Sequence, residues 1–404
     1  MEQRSKRILI ISGTVPPEES ATAILIGKLL PEIQKQGYRV DMLTLKHSYS
    51  DSPVDAYGEM TVYRADGLLY APAKRKCLRD VLFAMSRRFV RIKMRGLAPV
   101  YKKLATCAIE HKMKTLPMNE YDAVIAVCAY YDAAEALRRY IEKHPLRGRT
   151  ALYQVDPLAE NKIYIRDNEA ELQQYEKSLY EKMDRVFTTP IIYKAKQERG
   201  WDMSNVTALE FPLSIKKNVA QVGADEQIRC VYAGFLYGTI RDASYTLDLF
   251  SKLENSNIHL YMLGKGQEDL LRAYENGPLK GRLHILGEKP TAECDEILSK
   301  ANVLVNIGNM VNNQVPSKLL HYISFGKPIL NITACEDCPT LPYMHRYPLA
   351  LSIRDTKTAD TDTVRVAQAW LEENRDRIIQ REEIMQIFED CTPRYITKTI
   401  LKNL

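Results

Sequence analysis

The residues with the most chemical promise lie in one run, Asn302 to Ile332. An apolar strand candidate ends at Gly308-Asn309, amides follow at Asn312, Asn313 and Gln314, and Val315-Pro316-Ser317-Lys318 opens a second apolar segment. Proline in a first helical turn presets the backbone and sacrifices no hydrogen bond. The amides of Ser317 and Lys318 then point out of the helix N-terminus, where the macrodipole favours a phosphate. Lys318 adds a point charge, and the Asn and Gln amides suit sugar hydroxyls. The competing reading is an Asn-rich loop that only caps its helix.

Other loops offer weaker chemistry. Gly234–Asp242 (GFLYGTIRD) brings Arg241 behind a strand candidate, and a guanidinium fork pairs bidentately with phosphate. A solvated surface arginine is the alternative. Gly264-Lys265-Gly266 also follows a strand candidate, and its glycines let backbone approach an anion. Its spacing fits neither the P-loop nor the dinucleotide fingerprint, and a plain turn explains it as well. Asp156, ahead of Pro157, is the candidate carboxyl for a polar acceptor group, against an ordinary Asp-Pro turn. Cys335 and Cys338 form a CxxC, but zinc needs two more ligands and only His345 is near, so free thiols are expected.

Strands and helices must hold these loops. Arg7–Ser12 (RILIIS) reads as a buried parallel strand, a Gly13-Thr14-Val-Pro-Pro loop follows, and Ser20 is placed to cap a helix. Ile24, Leu25, Leu29, Leu30 and Ile33 recur there at helical spacing, with Pro31 inside the pattern, so a kink or break is expected. Gly37 closes the element and Arg39–Leu45 is the next strand, a βαβ unit. Strands at 123–128 and 149–155 continue the series. After a polar stretch, strands at 229–233, 259–263, 284–286, 303–307 and 328–332 alternate with helices in a second series. The tail, 363–387, reads as one charged amphipathic helix, with a short one at 393–404.

Composition agrees with this plan. The chain has 404 residues, 45% hydrophobic and 27% charged, which is ordinary for soluble globular protein of two or three domains. The net charge of +6 is unevenly spread: residues 74–114 hold 13 Lys or Arg against two acids. Within that block Val81, Leu82, Met85, Phe89 and Ile92 make a narrow helical stripe, with Arg79, Arg87, Arg88, Arg91 and Arg95 off it. The readings are a packed helix with a solvated face, or docking on an anionic membrane surface. Nucleic acid is disfavoured, because the stripe lacks interleaved aromatics and no nucleic-acid motif is present. The apolar run Ile8–Ile11 is too short for an export signal, and Ala301–Ser317 carries five Asn, too polar to span a bilayer. A cytoplasmic protein is expected.

The run NQVPSKLLHYISFGKPIL resembles the C-terminal signature of the GT-B glycosyltransferases, specifically the family-4-like enzymes. ILIISGTVPP, YAGFLYGTIRD, LYMLGKG, LHILGEK and ANVLVNIGN agree with that family in order, most sharply over 228–332. The resemblance implies an α/β fold of two Rossmann-like doubly wound domains facing a cleft. An acceptor domain would span 1–215 and a donor domain 228–362, with helices at 363–404 crossing back onto the first. It implies a UDP- or GDP-sugar donor, no metal or cofactor, and a glycan or lipid-linked acceptor at the inner membrane face. Arg241 falls where such enzymes place a cation on the donor diphosphate, and Ser317 and Lys318 fall at the phosphate-facing helix start. Gly264 and Lys265 join the donor set, Gly13-Thr14 matches the loop near the reacting sugar, and His284–Lys289 falls where backbone holds the base.

Two positions depart from the pattern. Asn313 and His321 stand where the family often carries acids; Asn313 can hold sugar hydroxyls without a charge, and His321 alters the grip on the ribose. The first loop reads Glu18-Glu19-Ser20-Ala21 in place of paired glycines. A catalytically silent sugar-nucleotide-binding subunit is the reading from another class. An epimerase shares the plan, but Asn313 argues against it. The oligomeric state is not legible.

Overall fold

The computed structural model describes residues 6–18, 20–48, 50–66, 78, 103–128, 131–159, 169–213, 226–238, 240–310 and 317–404. The chain folds into two compact units, Met1–Pro212 together with Pro393–Leu404, and Leu213–Thr392.

The first unit is built on β1 (Lys6–Ile11), β2 (Tyr38–Leu45), β3 (Val54–Tyr57), β4 (Met60–Ala65), β5 (Ala123–Cys128), β6 (Arg149–Gln154), β7 (Arg185–Thr188) and β8 (Val206–Ala208). Their order is β3-β4-β2-β1-β5-β6-β7-β8, parallel except for the β3–β4 hairpin. Alternation along β1 explains its unbroken hydrophobicity. Leu9 and Ile11 enter one core with Val124, Leu137, Leu152 and Leu179. Ile8 and Ile10 enter the opposite core with Leu25, Leu29, Ile33, Ile396 and Ile400. The last two belong to the Pro393–Asn403 helix, which packs on the Ala21–Lys35 helix.

The Ala21–Lys35 helix runs on through Pro31, so of the kink or break expected from sequence the break does not occur. Pro31 lies on the exposed face, where water can solvate the carbonyl that loses its amide partner. Ser20 caps this helix, its Oγ accepting from Ala23 N at 3.1 Å.

The second unit contains β9 (Ile228–Ala233), β10 (Ile258–Leu263), β11 (Leu283–Gly287), β12 (Val303–Ile307), β13 (Ile329–Thr333) and β14 (Ala350–Arg354). The order β11-β10-β9-β12-β13-β14 is parallel throughout. Strand β9 lies between β10, the next in sequence, and β12, from the other half of the sheet. Chain order reverses there, so a doubly wound sheet opens its ligand crevice beyond the carboxyl ends of β9 and β12.

The tail is two helices, Thr361–Asn374 and Arg381–Ile387, where sequence pattern suggested one. The intervening backbone is used elsewhere: Ile379 N donates to Gly326 O at 2.8 Å, and a Cβ on Gly326 would stand 2.4 Å from Ile379 O. That close approach holds the chain out of helical geometry.

Candidate active site

The loops after β9 and β12 carry the cations expected from sequence, and the fold brings them together. Arg241 Nη2 donates to Asn309 Oδ1 at 2.6 Å, and Nη1 points to Phe235 O at 3.4 Å. Its Nε is buried and has no hydrogen-bond partner among the described residues. The Ser317–Ile323 helix stands beside this loop. Lys318 Nζ donates to Ala233 O at 3.0 Å, at the very end of β9. The Tyr322 hydroxyl accepts from Ala233 N at 2.7 Å and donates to Ala233 O at 3.2 Å, so the helix is fastened to the strand.

The electrostatics of the pair are unusual. Lys318 is exposed along its length, yet its ammonium turns inward; desolvation and then the nearby Arg241 charge lower its pKa. Among the described residues, neither Arg241 nor Lys318 makes an ion pair. The hydrogen bonds of both cations go to neutral oxygens, which leave their charge uncancelled.

Glycines let the loop pass. A Cβ on Gly234 would stand 2.4 Å from the Tyr232 hydroxyl and 3.4 Å from Arg241 Nη1. Gly264, at φ +117°, leaves only 1.9 Å between such a Cβ and Gly234 O, and Gly266 is as close to Leu236 O. Backbone bonds Gly234 N to Leu263 O and Leu236 N to Lys265 O, at 2.8 and 2.9 Å, knit the two loops. Gly264 and Gly266 thus serve close backbone approach of protein to protein. The Lys265 ammonium is paired with Glu288 at 2.9 Å.

His321 pairs with a carboxylate from the neighbouring Thr291–Ser299 helix, its Nε2 lying 2.8 Å from Asp295 Oδ1. Its ring also meets Phe325 edge-on. Asp295 was not apparent from sequence, because nothing in the spacing of two separate helices announces the contact. His284 stacks on Tyr261 within the sheet and lies 2.9 Å from His259. Asn313 lies outside the described residues; Ser317 begins the helix at the expected place.

The first unit holds the remaining candidates. Gly13 and Thr14 follow β1, with Thr14 Oγ1 2.5 Å from the capping Ser20 Oγ. Asp156 follows β6, and burial raises its carboxyl pKa. A buried network lies beneath it. The Tyr131 hydroxyl and Gln154 Nε2 donate to Asp156 O at 3.2 and 3.1 Å. Glu176 accepts from Gln154 Nε2, Leu158 N and Ala159 N, and its partner is Lys196, both side chains being fully buried. Lys196 in turn sits over the Trp201 ring. The members of this pair lie on separate helices without a motif, so no local pattern in the sequence announces it.

Arg79, Arg87, Arg88, Arg91 and Arg95 lie outside the described residues. Among those described, no cluster of three His, Cys, Asp or Glu could hold a metal ion, and no helix is long and apolar enough to cross a membrane.

No protein-family model matches the chain, and no curated protein sequence matches it. Solved structures do. Sucrose-phosphate synthase from Thermosynechococcus elongatus superposes with a TM-score of 0.65 at 15% identity, over 98% of both chains. The lipopolysaccharide outer core galactosyltransferase WaaB gives 0.64 at 14% identity, also over 98% of both. HepE from Anabaena, solved in complex with UDP-glucose, gives 0.58 at 10% identity, over 98% of this chain and all of that one. The chain has the GT-B fold, two parallel-sheet α/β units in one polypeptide.

Proposed function

We propose that this protein is a glycosyltransferase, taking a sugar from a nucleotide-sugar donor held by the second unit. The observation that carries this reading is the Arg241–Lys318 pair, two cations that have no carboxylate partner among the described residues and lie beyond the ends of β9 and β12. When the bond from sugar C1 to the diphosphate breaks, negative charge grows on the leaving oxygens. Arg241, Lys318 and the amides at the start of the Ser317–Ile323 helix stabilise that charge, with Gly234 keeping the loop narrow enough to approach. This charge set is furnished by the protein alone.

On the other side of the reaction an acceptor hydroxyl attacks C1 and releases its proton. Asp156 is the candidate to receive it, and the raised pKa conferred by burial suits a general base. The UDP-sugar complexes among the similar structures support a uridine diphospho-sugar as the first donor to try, ahead of a GDP-sugar. The excess of basic residues in 74–114 favours an acceptor presented at an anionic surface, as a lipid-linked glycan would be.

The test is turnover. The full chain is incubated with UDP- and GDP-sugars, with and without glycan and lipid-linked acceptors, and released nucleoside diphosphate is measured. Release with at least one donor, stimulated by an acceptor, is expected. Binding of a sugar nucleotide with no release under any condition would favour a silent binding subunit instead.

A further inference from the structure

The CxxC lies against the anion site. Cys335 and Cys338 occupy the loop after β13, bracketing a turn at residues 336 and 337. A turn brings its first and fourth Cα atoms within about 7 Å, inside the span a disulfide bridges. Cys335 is partly exposed and Cys338 is buried.

Contacts lead from the sulfurs to Arg241. Gly308 N donates to Ile332 O at 2.8 Å, and a Cβ at Gly308 would stand 3.4 Å from Cys338 Sγ. Cys335 Sγ points to Asn309 O at 4.0 Å, and Cys338 Sγ lies 3.2 Å from Thr340 Oγ1. The side chain of the same Asn309 holds the Arg241 guanidinium at 2.6 Å.

We propose that Cys335 and Cys338 are a modification site, forming a reversible disulfide that loosens the grip of Asn309 on Arg241 and so weakens anion binding. Forming the bond draws the sulfurs to about 2.05 Å and removes both S–H donors. The contacts to Asn309 O and Thr340 Oγ1 are then lost. A low-molecular-weight disulfide is the oxidant. The Cys335 sulfur, as thiolate, attacks it; the reagent S–S bond breaks, and one thiol leaves. Cys338 gives up its proton and attacks the Cys335 sulfur of the mixed disulfide, expelling the second thiol. Two cysteine thiols are oxidised by two electrons and one disulfide is reduced to two thiols.

Burial, followed by the neighbouring Cys338, pushes the Cys335 thiol up to about 11. The first step is therefore slow at neutral pH and accelerates about tenfold per pH unit below that value.

The effect on binding rests on the donor-site reading above; the disulfide itself does not. The full chain is treated with oxidised glutathione in mildly alkaline buffer, digested without reduction and mapped by mass. UDP binding is followed by thermal shift on the same samples, with Cys335→Ser as control. A Cys335–Cys338 cross-link, a loss of UDP affinity of about fivefold or more, recovery with dithiothreitol and no loss in the control are expected. Glutathione adducts without the cross-link overturn the site. A cross-link that leaves UDP affinity unchanged overturns the coupling. Failure of the reduced wild-type protein to bind UDP overturns the donor-site reading and the coupling with it, while the mass map alone still decides the disulfide.

Discussion

Arg241 and Asn309 stand 68 positions apart in the chain and meet at 2.6 Å, guanidinium to amide oxygen. The contact aims the arginine without neutralising it, because the partner is an uncharged amide buried at the end of β12. A carboxylate in its place would orient the guanidinium equally well and cancel the field that an anionic ligand needs.

Asn309→Ala should therefore weaken nucleoside diphosphate binding about tenfold, by leaving the guanidinium unaimed. Asn309→Asp should weaken it further, since the new carboxylate competes with the ligand. Calorimetric titration with UDP separates the two variants, and an Asp variant that binds like wild type would show that Arg241 does not touch the anion.

The close approach of two loops makes a second prediction. Gly264→Ala forces a Cβ to within 1.9 Å of Gly234 O at φ +117°. A loss of about 2–4 kcal/mol in urea unfolding is expected. Gly58→Ala, at φ +60° with open space around it, should lose only about 1 kcal/mol. Equal losses at the two positions would mean that backbone conformation, and not the loop contact, sets the cost.

Asp156 makes a prediction in pH. Its folded pKa is raised above the ordinary 3.8 by burial, so the native state binds the proton more tightly than the unfolded chain. Stability contributed by the protonated carboxyl is present at acid pH and is lost as pH climbs through the folded pKa. Asp156→Asn should accordingly be more stable than wild type at neutral pH and lose that advantage near pH 3. Urea midpoints measured across this range check the sign; an advantage that grows toward acid pH would contradict it.

The Glu176–Lys196 pair is fully buried and clamps the backbone at Leu158 and Ala159. Lys196→Met leaves a carboxylate without its cation and should cost about 3–5 kcal/mol. Adding Glu176→Gln should recover most of that loss. Recovery failing in the double variant would place the cost in lost packing of Lys196 on Trp201 instead.

Much of this was legible beforehand, for physical reasons that can be named. The buried parallel strands announce themselves as apolar runs, since both their faces are covered, as Ile8–Ile11 and Val303–Ile307 show. Arg241 and Lys318 stood out because they follow such runs in loops that a doubly wound sheet exposes. The β3–β4 hairpin, β7, β8 and β14 escaped notice: they are short, lie toward the sheet edges and carry mixed residues such as Arg64 and Arg354. Partnerships across elements were the least accessible. His321 with Asp295 and Glu176 with Lys196 depend on how helices sit side by side, which no local spacing encodes.

On the proposed reading Arg241 and Lys318 bind the donor diphosphate together. The most direct measurement is UDP affinity of wild type, Arg241→Ala, Lys318→Ala and the double variant, read against ionic strength. Wild type should bind, each single variant should lose about tenfold or more, and the double variant should lose less than the sum, since both cations meet one ligand. Wild-type affinity retained in both single variants would contradict that reading.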